Sequence, residues 1–151
     1  MHICFVCTGN ICRSPMARIV FADALEREGL AGQVRVSSAG TGGWYAGGPA
    51  DARAAATLRR AGFDSRHVAA QLGPEHLSAD LLVALDSGHL AVLRRLVEPD
   101  RVALLRSFDP DAGGGRDVPD PFGGRQEDFD IALGMVRAAV PGLIDWVRAR
   151  L

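Results

Sequence analysis

Short apolar runs alternate with stretches of helical periodicity along most of the chain. His2 to Val6 (His-Ile-Cys-Phe-Val) reads as a short buried strand. Ser14 is a candidate helix cap and Pro15 suits a first helical turn. Met16, Ile19, Val20, Ala24 and Leu25 then recur at helical spacing until Gly29. Val34 to Ser38 alternates like a strand, and the Gly-rich stretch from Ala39 to Gly48, which carries Trp44 and Tyr45, reads as a loop. A helix is predicted from Pro49 to Ala61, ending at Gly62. Leu81 to Leu85 and Val102 to Leu105 read as strands, with a helix over Ser87 to Val97 between them. Residues 107–125, dense in Asp, Pro and Gly, form a long loop before a helix from Glu127 to Arg150, with a kink or restart at Pro141-Gly142.

Four strands alternating with helices predict an α/β fold of three layers (α/β/α), a four-stranded parallel sheet with helices on both faces and right-handed crossovers. In such sheets ligands bind beyond the carboxyl ends of the strands, and Cys7 follows the first strand directly. No repeat, linker or boundary divides residues 1–151, so one domain is expected.

Composition narrows the setting. A net charge of −1 gives no reason to expect a nucleic-acid partner. All 17 Lys+Arg positions are arginine, which fits a GC-rich coding bias. No apolar run approaches membrane-spanning length and no signal-peptide pattern opens the chain. The three cysteines lie between residues 4 and 12, unlike a secreted disulfide framework, so a reducing cytoplasm is expected; a monomer is expected as well.

The densest chemistry lies in Val6-Cys7-Thr8-Gly9-Asn10-Ile11-Cys12-Arg13-Ser14-Pro15. Three cysteines and 17 arginines would give about 0.3 accidental Cys-x5-Arg matches in a chain of 151 residues, so spacing alone decides nothing. Context does. Cys12-x5-Arg18 has the same spacing but runs through Ser14-Pro15 into the helix, whereas Gly9 and Asn10 tolerate the left-handed angles a loop between Cys7 and Arg13 must adopt. A loop wrapped before a helix start offers backbone N–H groups from Thr8 to Ser14 to a phosphate, and the helix dipole adds positive potential. Arg13 adds a planar fork for two phosphate oxygens. The same field favours the thiolate of Cys7, which could attack phosphorus in line. Cys4, inside the strand, reads as a small buried hydrophobe. The scattered histidines and crowded cysteines do not make a zinc site, and no metal or other cofactor is called for.

A leaving group needs a proton. Asp109, Asp111, Asp117 and Asp120 are candidate acids on the long loop, and Asp-Pro occurs at both Asp109-Pro110 and Asp120-Pro121. Phe122 beside Asp120 could wall an aromatic substrate, which leans the choice without settling it.

The run from Cys7 to Pro15 resembles the signature of the low-molecular-weight protein tyrosine phosphatases, notably actinobacterial ones. Asp120-Pro121-Phe122-Gly123 is similar to that family's general-acid motif, and Ser37-Ser38-Ala39-Gly40-Thr41 to another of its segments. The resemblance spans essentially the whole chain and implies a flavodoxin-like phosphotyrosine phosphatase I fold. It implies Cys7 as nucleophile, Arg13 as phosphate clamp and Asp120 as general acid and then base. It implies that Asn10 is held in a left-handed conformation by hydrogen bonds from Ser14, Ser38 and His67. Ile11, Trp44, Tyr45 and Phe122 would line the substrate pocket. Tyrosine-phosphorylated proteins are the implied substrates, with a cognate tyrosine kinase as a partner. Phe122-Gly123 departs from the paired tyrosines of many members, so regulation by their phosphorylation is not expected.

Three rivals share parts of this pattern. Protein arginine phosphatases resemble it with threonine where this chain has Ile11, and apolar bulk there suits a ring. Arsenate reductases need cysteines downstream, but none follows Cys12. A non-catalytic phosphate binder would be expected to have lost Cys7, Arg13 or the acid. Cys7 and Cys12, five residues apart in one loop, are also an expected reversible disulfide pair under peroxide.

Overall fold

The computed structural model describes residues 1–151 throughout. Its strands are β1 (His2–Cys7), β2 (Arg35–Gly40), β3 (Leu81–Ala84) and β4 (Val102–Leu104). Its helices are α1 (Arg13–Arg27), α2 (Ala52–Arg60), α3 (Pro74–Leu77), α4 (Ser87–Arg94) and α5 (Gln126–Arg148). All strand pairs are parallel, in the order β2-β1-β3-β4. The chain steps outward from β1 to β2, then crosses back to β3. The point where that direction reverses lies between β1 and β3, and a crevice opens there beyond the strand ends.

Strand alternation divides the core in two. Ile3, Phe5 and Cys7 join the larger cluster with Met16, Val20 and Phe21 of α1, Leu58 of α2, and Phe129, Leu133 and Leu143 of α5. Cys4 and Val6 face the opposite way, into a smaller cluster with Leu82, Ala84 and Leu93, against which Leu77 of α3 packs. Both faces of β1 are therefore covered, which is why it reads as a continuous apolar run. Phe5 and Phe21 meet edge to face at 5.7 Å between ring centroids, fixing α1 against the sheet.

Several boundaries differ from the sequence reading. Helix α2 starts at Ala52, not Pro49, because Asp51 caps it, its Oδ1 accepting from the N–H groups of Arg53 (2.8 Å) and Ala54 (3.3 Å). The short helix α3 carries too few residues for a periodic signal, and a 3₁₀ turn over Leu105–Phe108 takes the start of the predicted long loop. Pro141-Gly142 does not restart the last helix, which runs unbroken from Gln126 to Arg148. Pro141 and Arg137 are both exposed, so the Arg137 carbonyl freed by the missing N–H can be hydrated. Gly142 serves packing: a Cβ there would lie 2.1 Å from the Phe108 carbonyl oxygen. Its absence lets α5 lie close against the 3₁₀ turn and bury Leu143 and Ile144.

Candidate active site

The chain turns sharply after Cys7 because Asn10 adopts φ 56°, the one positive φ outside glycine. Such a conformation persists where the surroundings over-determine it. Asn10 is fully buried, and its amide nitrogen donates to Ser14 Oγ (2.7 Å) and Ser38 Oγ (3.0 Å). Its Oδ1 accepts from the Ala70 N–H at 2.9 Å, and its carbonyl accepts from His67 Nε2 at 2.7 Å. Three expected partners are thus present, with one reversal: Asn10 donates to both hydroxyls. Ser14 is not the helix cap. Cys12 occupies that position, and Ser14 lies inside α1.

The carbonyls of this loop are tied outward. Those of Cys7, Thr8, Ile11 and Cys12 accept from the N–H groups of Thr41, Gly42, Asp51 and Met16, at 2.9 to 3.2 Å. The backbone N–H groups from Thr8 to Ser14 have no protein acceptor at all. Seven consecutive free amides around one thiol form an anion cradle. Gly40 makes the close approach of β2 possible, since a Cβ there would fall 2.6 Å from the Thr8 carbonyl oxygen.

Cys7 lies at the cradle floor, 3 % exposed, with Sγ 2.8 Å from Ser14 Oγ. Ser14 already accepts from Asn10, so its own proton is available to the sulfur. Arg13 is equally buried. Its Nη1 donates to Asp86 Oδ2 (2.7 Å) and the Val118 carbonyl (2.8 Å), and its Nη2 lies 3.7 Å from Asp120 Oδ2. Burial opposes ionisation of Asp86, but hydrogen bonds from Arg13 and the His89 amide outweigh it and hold its carboxyl below the usual range.

His89 was not among the expected site residues. Its Nδ1 accepts from the Asp86 N–H at 3.2 Å, so the proton sits on Nε2, which donates to Thr8 Oγ1 at 2.9 Å. Burial pushes its pKa down, as it does for His67, and both bond as neutral rings. The sequence signal for this pair was local: Asp86 followed by Ser-Gly-His is a helix N-cap with its third-position partner.

Of the candidate acids, Asp117 is engaged elsewhere, its Oδ1 accepting from the Ser87 N–H and hydroxyl at 2.8 and 2.6 Å. Asp109 forms a local turn with the Asp111 N–H at 2.9 Å. Asp120 alone faces Arg13, and its side chain is half exposed. A cavity of about 210 Å³ is lined by Cys7, Thr8, Gly9, Cys12, Arg13 and Asp120, with Ile11, Trp44, Tyr45 and Phe122 as its apolar walls. Tyr45 lies over Gly9 and its ring is 6.2 Å from that of Phe122, whereas Trp44 folds onto Gly42 and stays 76 % exposed. Cys12 also lines the cavity, but burial, with the charges of Asp51, Cys7 and Asp120, pushes its thiol up to about 12. Burial likewise raises Cys4 to about 11. Arg18, the partner in the false spacing, points away, donating to the Arg66 carbonyl at 3.0 Å.

A larger cleft of about 390 Å³ runs between α1, β2 and Phe63–Arg66, but no thiol, hydroxyl or imidazole lines it. No cluster of three or more His, Cys, Asp or Glu side chains converges to hold a metal ion.

Fold and site define a class: α/β proteins that hold an oxyanion over a thiol where the sheet changes direction. The chain belongs to the family described as low molecular weight phosphotyrosine protein phosphatase, which it matches over residues 2–151. It is 55% identical over 153 residues to the low molecular weight protein-tyrosine phosphatase A of Mycobacterium tuberculosis, covering 100% of this chain and 94% of that one. A protein tyrosine phosphatase structure from Entamoeba histolytica superposes with a TM-score of 0.93 at 25% identity, covering 99% of this chain and 97% of that one. The YwlE arginine phosphatase of Bacillus subtilis, in a variant with a phosphorylated active-site serine, superposes with a TM-score of 0.86 at 33% identity, covering 99% and 97%.

Proposed function

We propose that this protein hydrolyses phosphotyrosine in proteins, and small aryl phosphates, through a cysteinyl-phosphate on Cys7. The thiolate attacks phosphorus in line, forming the P–S bond as the P–O bond to the phenol breaks. Asp120 gives its proton to the departing phenolate. The same carboxylate then takes a proton from water as that water attacks phosphorus, the P–S bond breaks, and inorganic phosphate leaves with the thiolate restored. Arg13 and the loop amides hold the three equatorial oxygens as charge builds on them. The observation that carries this reading is the row of seven free amides from Thr8 to Ser14 around a buried thiol.

The walls favour an aromatic substrate. Ile11, Tyr45 and Phe122 offer apolar and ring surface, and the cavity's one carboxylate, Asp120, is the acid in this reading. Tyrosine-phosphorylated proteins of the cytoplasm, opposed by a tyrosine kinase, are the substrates this reading assigns. Phosphate release from a phosphotyrosine peptide is measured for wild type and Cys7→Ser, with a phosphoarginine peptide alongside. Tyrosine turnover lost in the variant supports the reading. Turnover of phosphoarginine alone, or of neither by folded, reduced protein, removes it.

Cys12 extends the reading to redox control. Peroxide oxidises the Cys7 thiolate to a sulfenic acid, and the Cys12 thiol displaces water from it to close a disulfide that an external thiol reopens. Burial pushes the Cys12 thiol up to about 12, which disfavours the thiolate that closure needs. If Cys12→Ser regains activity after peroxide and dithiothreitol as fully as wild type, Cys12 gives no protection.

A further inference from the structure

The loop that carries Asp120 is tethered on both sides. On the entering side Val118 is fully buried, its N–H donating to the Leu85 carbonyl at 2.9 Å and its carbonyl accepting from Arg13. On the leaving side the tether is one side chain from α2. Arg53 Nη2 donates to the Phe122 carbonyl at 2.6 Å, and Arg53 Nη1 to the Gly124 carbonyl at 2.9 Å. The guanidinium is held in place from two further directions. It lies 4.6 Å from the centroid of the Phe129 ring, and Nη2 is 3.4 Å from Asp51 Oδ2. Asp51 in turn donates its own N–H to the Ile11 carbonyl of the cradle at 2.9 Å. A short chain of contacts therefore runs from the cradle through Asp51 and Arg53 to the segment just after Asp120. Asp120 itself makes only one hydrogen bond, Oδ1 accepting from the Phe122 N–H at 3.1 Å, beside its looser 3.7 Å approach to Arg13 Nη2, and that N–H belongs to the residue whose carbonyl Arg53 holds.

We propose that Arg53 is a positioning residue for proton transfer: it fixes the Asp120 loop at the height above Cys7 from which the carboxyl can reach the leaving oxygen. The inference rests on the reading of Asp120 as the general acid. Arg53 lies outside the residues that line the cavity, so it acts on the loop and not on the phosphate. A guanidinium suits the task because its planar fork reaches two carbonyls at once while its face rests on a ring. A lysine could serve only one carbonyl at a time. Displacing a catalytic group by about 1 Å can cost on the order of 10²-fold in rate, so a tether with two hydrogen bonds is enough to matter.

The test is the dependence of kcat/KM on the leaving group, because kcat/KM reports formation of the cysteinyl-phosphate. Wild type, Arg53→Met, Arg53→Lys and Asp120→Asn are compared on 4-nitrophenyl phosphate, whose phenolate leaves without help, and on phenyl phosphate, which needs the proton. Methionine keeps an apolar stem against Phe129, and thermal unfolding checks that each variant is folded. Arg53→Met is expected to lose about 10- to 100-fold on phenyl phosphate and no more than about threefold on 4-nitrophenyl phosphate. Arg53→Lys should fall between it and wild type. Combining Arg53→Met with Asp120→Asn should add little to the loss from Asp120→Asn alone on phenyl phosphate. Equal losses on both substrates in folded Arg53→Met, with Asp120→Asn still selective for the activated ester, would overturn the role of Arg53 and leave Asp120 as the acid. An Asp120→Asn variant that handles both esters like wild type would overturn the reading of Asp120, and this inference with it.

Discussion

The floor and the roof of the cavity are built on opposite principles. The floor, from Cys7 to Ser14, is buried except at Thr8 and Gly9, carries a left-handed Asn10, and has its surrounding polar groups committed to fixed partners. The roof, formed by Trp44, Tyr45, Asp120 and Phe122, is exposed and held by few contacts. An electrostatic cradle works only if its dipoles are already aimed when charge develops, so rigidity there is functional. A mouth that must admit a peptide gains from looser attachment, while Arg53 fixes only the segment that follows Asp120.

Substitutions at the two levels should therefore fail differently. Cys7→Ser removes the nucleophile, and turnover of a phosphotyrosine peptide should fall by at least about 10⁴-fold with the fold intact, as read by steady-state kinetics and circular dichroism. Asp120→Asn, in the roof, should lower kcat by about 10²- to 10³-fold without loss of thermal stability, since its side chain is half exposed. Asn10→Ala, in the floor, should cost both: a non-glycine residue in left-handed geometry and an orphaned Ala70 N–H together cost about 2–4 kcal/mol in denaturant unfolding. Were Asn10→Ala to leave stability unchanged, the floor would not be the over-determined structure described here.

Glycines sharpen the contrast. Gly40→Ala drives a Cβ to within 2.6 Å of the Thr8 carbonyl oxygen and should destabilise by about 1–3 kcal/mol. Gly123→Ala, where an added Cβ would meet nothing within 4 Å, should stay within about 0.5 kcal/mol of wild type.

The smallest effect is a pH dependence. His67 and His89 both have folded pKa values below the ordinary 6.5 because they are buried, although the Asn10 carbonyl and the Asp86 carboxylate pull the other way. Below pH 6.5 the unfolded chain binds protons that the folded one refuses, so stability falls with acidification until the folded values are reached. Melting temperature should drop between about pH 7 and pH 5, and His89→Gln should flatten that slope. A variant with the wild-type slope would place the titration elsewhere.

Much of the floor was legible because it is local. Cys7, Gly9, Asn10 and Arg13 lie within one loop, and strand alternation around it predicted the parallel sheet and the position of the site. In the roof the acid was legible only as four aspartates, leaning to Asp120 through Phe122, and the resemblance narrowed it to Asp120 and added Trp44 and Tyr45. What stayed hidden were the partners that arrive from far along the chain. Asp86 meets Arg13 across 73 residues, His89 meets Thr8 across 81, and Arg53 meets Gly124 across 71. No periodicity encodes such meetings. Pro141 misled for a related reason: it reads as a break, but the packing of Gly142 against Phe108 overrides local preference.

The central claim is that phosphoryl transfer passes through Cys7. Wild type mixed with excess phosphotyrosine peptide, quenched within one turnover and mapped by peptide mass spectrometry, tests it directly. The account predicts one phosphoryl group on the peptide containing Cys7, formed and lost at rates consistent with turnover. Phosphate released at full rate with Cys7 unmodified, or with the phosphoryl group on another side chain, would contradict it.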